Sequence, residues 1–121
     1  MSGPNFMILY VENAQKSGAF YSTLLGRAPV DASPAFVMFA LDSGMRLGLW
    51  TRDTVLPAPA VKAGGAEIGI PVGSPAAIDA THAEWKARGI AIAQEPTDMD
   101  FGRTFVGLDP DGHQLRVFAP A

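Results

Sequence analysis

The sequence predicts an α+β fold built from two βαβββ modules, and three observations predict it. An apolar run, a capped helical stretch and a set of alternating runs occur in that order and then occur again. Val11-Glu12-Asn13 aligns with Val72-Gly73-Ser74, and the stretch Gly44 to Trp50 aligns with Gly112 to Phe118. Between the two halves lies a segment rich in Pro, Gly and Ala, with Pro57, Pro59, Gly64 and Gly65, that reads as a linker. We therefore expect one domain over 1–121, with a first module at about 5–52, a linker at about 53–65 and a second module at about 66–119.

Taken in order, FMILYV from Phe6 to Val11 is a strand. Asn13 caps a helix over Ala14 to Leu25, Gly26 stops it, and Phe20, Tyr21, Leu24 and Leu25 form its apolar stripe. Pro29 and Pro34 bracket a short edge-like segment. Phe36 to Leu41 and Met45 to Trp50 then form a hairpin around Asp42-Ser43-Gly44. The second half opens with a strand from Glu67 to Val72 and a helix from the Ser74 cap through Arg88, which Gly89 stops. Ile90 to Ala93 is a short strand. A last hairpin, Arg103 to Leu108 and His113 to Phe118, turns at Asp109-Pro110-Asp111-Gly112, where Pro fixes one φ, Asp can bond its own backbone and Gly admits positive φ.

Composition narrows the function classes. With 48% hydrophobic and 17% charged residues the chain is globular. A net charge of -3 and the lack of any Lys or Arg run argue against nucleic acid as a partner. Without Cys there are no disulfides, thiolate metal sites or Cys nucleophiles, which is compatible with a cytoplasmic address. No apolar run approaches a membrane span, and the N-terminus carries no signal-like core, so no membrane partner is expected.

Alternation along the aligned strands separates two faces. One carries Met7, Leu9, Val11, Leu47, Leu49, Ile68, Ile70, Val72, Leu115 and Val117, the candidate core beneath the helices. The other carries Phe6, Ile8, Tyr10, Arg46, Gly48, Trp50, Glu67, Gly69, Pro71, Gln114, Arg116 and Phe118, a mixture that suits a ligand cleft. Among the remaining chemistry-bearing residues, His82 and His113 read as packing or surface groups and Asp98 and Asp100 as solvated loop acids. Ser33, Ser43 and Ser74 stand in turns or caps without the glycines of a nucleophile elbow.

The two modules, FYSTLLG at the end of the first helix and DPDGHQLRVF near the C-terminus resemble the vicinal oxygen chelate superfamily of glyoxalases, dioxygenases and bleomycin-resistance proteins. That resemblance implies a cupped mixed sheet, commonly in a homodimer, and leaves function open because its members do unrelated things. Its metal ligands map onto Phe6, Gly48, Glu67 and Arg116. Only Glu67 can donate to a divalent ion, and Arg116 would put a cation where the ion belongs. The expectation is no metal and no other cofactor, no catalytic residue, and a Glu67 to Arg116 ion pair in the ion's place.

LGLWTR, EIGIPV and FGRTFVGLDPDGHQLRVF are similar to the phenazine-antibiotic resistance group within that superfamily. By that resemblance the chain binds a small planar aromatic compound, and Trp50 is its stacking platform. Phe6, Tyr10, Phe36, Met38, Phe105 and Phe118 would shape the walls beside Gly48, and Glu67 with Arg116 would supply polarity. A metal-dependent lyase, dioxygenase or transferase, and a structural or regulatory dimer with a plugged cleft, are the alternative readings.

Overall fold

The computed structural model describes residues 3–120. The chain divides into two compact units, Met1–Lys62 and Ala63–Ala121. Each is a βαβββ module with one four-stranded mixed sheet and one helix.

The first unit contains β1 (Phe6–Val11), α1 (Ala14–Leu25), β2 (Asp31–Ala32), β3 (Phe36–Ala40) and β4 (Arg46–Thr51), with strand order β1-β4-β3-β2. β1 runs parallel to β4, whereas β3 is antiparallel to β4 and β2 to β3. The registers Met7 to Leu47, Leu9 to Leu49, Val37 to Leu49 and Phe39 to Leu47 gather the aliphatic phase on one face. Leu9, Val11, Val37, Phe39, Leu47 and Leu49 are buried there with Tyr21 of α1. Each fully buried side chain of this size contributes about 1.5–3 kcal/mol.

Asn13 Oδ1 accepts the Lys16 amide at 3.0 Å, the Ala14 amide donates to Thr51 Oγ1 at 3.0 Å, and Gly26 closes α1 at φ 65°. The buried stripe of α1 keeps only Tyr21 of the expected one. It is Ala14, Ser17, Gly18 and Tyr21, because the helix sits close on the sheet: a Cβ on Gly18 would stand 3.1 Å from Val37 Cγ1. Small residues win this face, and Phe20 lies beside it, edge-on to Tyr21 at 5.2 Å. After β4, a 3-10 turn (Arg52–Thr54) leads into Val55, which is buried. Arg52 Nη2 donates to the carbonyls of Pro59 and Val61, so this part of the predicted linker is tied back to the end of the first module.

The second unit contains β5 (Glu67–Pro71), α2 (Pro75–Ala87), β6 (Ile92–Met99), β7 (Gly102–Leu108) and β8 (Gln114–Pro120), with strand order β5-β8-β7-β6. Ser74 Oγ accepts the Ala77 amide at 3.2 Å, and Pro75 opens the helix where its missing N–H costs nothing. Ile78 and Trp85 are its buried residues. β6 is longer than the predicted Ile90 to Ala93 and includes Pro96. It is an edge strand with register shifts on either side of Gln94, which is where a residue without an N–H is tolerated. Asp98 accordingly lies on a strand and not in a loop, and Arg103 binds it at 3.0 Å while also binding Asp79 of α2 at 2.9 Å.

The last hairpin turns as its residues dictate. Asp109 is buried and its Oδ1 accepts the amides of Asp111 and His113, each at 2.9 Å, while Gly112 takes φ 87°. No helix among the described residues is long and apolar enough to cross a membrane.

Candidate functional site

In the first unit, the sheet face away from α1 is aromatic. The registers Tyr10 to Trp50 and Phe36 to Trp50 place these three residues in one row across β1, β4 and β3, with Ile8, Gly48 and Met38 in the next row. Both neighbours meet the Trp50 ring edge to face, Tyr10 at 6.3 Å and 77° and Phe36 at 6.4 Å and 87°. That geometry is the favourable one for the ring quadrupoles and holds the indole between two perpendicular walls. Phe6, Ile8 and Tyr10 remain about 40% exposed, an unusual amount for large apolar side chains on a sheet. Phe36 and Met38, whose faces the repeat left undetermined, join Trp50 and Gly48 here.

Gly48 shows why this face does not suit a metal ligand. A Cβ at this position would lie 2.8 Å from Phe36 Cζ and 2.9 Å from Phe6 Cε1, so two phenyl rings fill the space a donor side chain would need. Phe6, the other ligand position in this unit, offers no donor.

In the second unit the two remaining ligand positions form an ion pair. Arg116 Nε donates to Glu67 Oε1 at 2.6 Å, and Gln114 Nε2 donates to Glu67 Oε2 at 3.1 Å. Arg116 Nη1 donates to Gln94 Oε1 at 3.0 Å and to Thr104 Oγ1 at 3.3 Å, and the Phe101 ring lies 5.9 Å from its Cζ. A guanidinium locked to the sole carboxylate leaves no donor set for a divalent ion. Among the described residues no group of three or more His, Cys, Asp and Glu is placed to hold one.

The Arg116 hydrogen bond, followed by its charge and the Gln114 hydrogen bond, holds the Glu67 carboxyl below the usual range against the opposing effect of partial burial. A carboxyl depressed on folding contributes stability above its unfolded pKa, about 4.3, and loses it as pH falls through the folded value. Glu67→Gln is therefore expected to unfold more readily than the native chain at neutral pH. The two stability curves should converge in acid, as urea titrations at several pH values will show. Because Glu67 keeps about a third of its surface open, the difference is screened and small.

Phe118 lies on the same face, opposite Thr104 and Pro71 and 3.3 Å from where a Gly69 Cβ would stand. Phe105 does not. It pairs with Val117, is fully buried, and meets His82 at 5.4 Å and Trp85 at 5.1 Å. It is a core residue beneath α2 and not a wall of the open face. His82 packs beside it, with Glu95 Oε2 2.6 Å from Nε2 but out of line for a hydrogen bond.

Sequence reasoning missed Gln94, Thr104 and Phe101 around Arg116. Thr104 was recoverable from the Arg116 phase once the hairpin register was known, whereas Gln94 lay beyond the point at which the predicted strand ended. A depression of about 450 Å³ opens beside Glu67 and Gln114, lined otherwise by Gly64, Gly65, Ala66 and Gly112. It carries no aromatic wall.

Residues 3–117 match the family model for the Glyoxalase/Bleomycin resistance protein/Dioxygenase superfamily. The chain is 33% identical over 119 residues to the phenazine antibiotic resistance protein EhpR of Enterobacter agglomerans, a match covering 94% of this chain and 89% of that protein. Among solved structures, protein ATC0852 from Agrobacterium tumefaciens is 50% identical, with a TM-score of 0.91 over 100% of this chain and 99% of that one. A glyoxalase/bleomycin resistance protein/dioxygenase from Nocardioides is 26% identical, with a TM-score of 0.83 over 99% of this chain and 84% of that one. By the family match and the relatives that share almost its whole length, the chain belongs to the glyoxalase/bleomycin resistance/dioxygenase superfamily.

Proposed function

We propose that this protein binds and sequesters a small planar aromatic compound of the phenazine kind, without a metal, and so protects against it. The observation that carries the reading is the Tyr10-Trp50-Phe36 row, in which a flat indole stands between two perpendicular rings on a sheet face not covered by the helix. The relative named for phenazine antibiotic resistance supports the ligand class. Phe6, Ile8, Met38 and Gly48 extend the apolar surface around Trp50, and within the second unit Phe118, Glu67 and Arg116 share the sheet face away from α2. The assembly is a homodimer, as the family resemblance implies, and it acts in the cytoplasm, where a chain without cysteine has no need of an oxidising compartment.

Stacking of a flat ring on an aromatic side chain contributes about 1–3 kcal/mol by alanine substitution. Trp50→Ala is therefore expected to weaken phenazine binding about tenfold or more in isothermal titration calorimetry, with the fold intact by circular dichroism. Unchanged affinity in the variant would remove Trp50 from the site.

A further inference from the structure

The ion pair at Glu67 and Arg116 leaves part of its guanidinium unused. Arginine has five N–H donors in a planar fork. The Nε hydrogen goes to Glu67, and Nη1 serves Gln94 and Thr104. Nη2 has no hydrogen-bond partner among the described residues, and the side chain keeps 22% of its surface open. Three fixed contacts and the Phe101 ring at 5.9 Å hold the fork in place, so its remaining N–H groups are presented without further ordering cost. The charge, however, is already answered. Glu67 sits 2.6 Å away with its second oxygen held by Gln114, so an anion approaching Arg116 also approaches a carboxylate. A neutral acceptor gains the charge-assisted bond and meets no such repulsion.

We propose that Arg116 Nη2 is a specificity-determining donor that selects ligands carrying a neutral hydrogen-bond acceptor, an amide or ketone oxygen on an aromatic ring, over the matching carboxylates. Phe101 flanks the ring that bears the acceptor, and Glu67 sets the charge preference. The aromatic frame of the ligand rests on the binding reading above, whereas the acceptor preference rests on the geometry around Arg116.

The test has two arms on the full chain at neutral pH. In the first, the side-chain resonances of ¹⁵N-labelled arginine are followed while benzamide or benzoate is added, with Arg116→Met identifying the Arg116 signals. In the second, phenazine-1-carboxamide and phenazine-1-carboxylate are titrated by calorimetry, and phenazine itself by Trp50 fluorescence. Benzamide is expected to shift the Arg116 signals at lower concentration than benzoate, and the carboxamide to bind about tenfold tighter than the carboxylate, the worth of one bond to a charged donor. Glu67→Gln, which is close in shape and leaves Arg116 unneutralised, should shrink or reverse that preference.

Equal or tighter binding of the carboxylate by the native chain overturns the proposal without recourse to any variant. An Arg116 signal unmoved by either small probe, with Trp50 quenched by phenazine, overturns it and leaves the binding function standing. An Arg116 signal that follows benzamide, with Trp50 unquenched, supports the proposal and instead sinks the phenazine platform.

Discussion

Replacing Phe105 with alanine is expected to destabilise the protein by about 3–5 kcal/mol, a large part of the 5–15 kcal/mol that holds a typical domain together. The ring is fully buried between β7 and α2, edge-on to Trp85 and His82 and opposite Val117. Trp85 is held in place by its packing on Gly107, which limits how far it can move into the void. Urea unfolding should show a lower midpoint with an unchanged slope. A loss below about 1 kcal/mol would be the size of a surface change and would contradict a core role.

Gly107→Ala is expected to cost about 1–3 kcal/mol although it adds a single methyl group. The new Cβ would stand 2.7 Å from Cε3 and Cζ3 of Trp85 and 3.3 Å from Ile90 Cγ2. Trp85 is only 5% exposed and cannot swing into solvent, so the helix must lift or the strand must shift. A smaller ring should relieve the clash. Trp85→Phe combined with Gly107→Ala is expected to be less destabilising than the sum of the two single changes, and a double-mutant cycle with no coupling would show that the contact is unimportant.

These two positions also mark where the sequence stopped being informative. The first and last strands of each half were legible, because the repeat aligned them and alternation then assigned their side chains. Glu67 and Arg116 were placed together in this way, and the structure brings them to 2.6 Å. The turn at Asp109 to Gly112 was also legible from its residues. Its length was not. A four-residue loop would pair Leu108 with His113 and, three residues back along each arm, Phe105 with Arg116 on the open face. Instead the Asp109 amide donates to the His113 carbonyl, Leu108 pairs with Gln114, and Phe105 falls opposite Val117 beneath the helix. One residue of register moves a side chain to the other face of a sheet.

The aromatic row was half legible for a related reason. Tyr10 and Trp50 follow from the repeat, but Phe36 belongs with them only through the β3 to β4 register. In α1 Tyr21 was legible, but Ser17 and Gly18 beside it were not, since periodicity reports hydrophobicity and not how closely a helix approaches its sheet.

A sequestering role requires that a planar aromatic compound bind at Trp50 with no metal present. Trp85 is buried, so its emission provides a steady background against which Trp50 can be read. The direct measurement is a fluorescence titration of chelator-treated protein with phenazine. Saturable quenching that is lost in Trp50→Ala is the predicted result, and quenching that is absent, or that returns only when a divalent metal is added back, would contradict it.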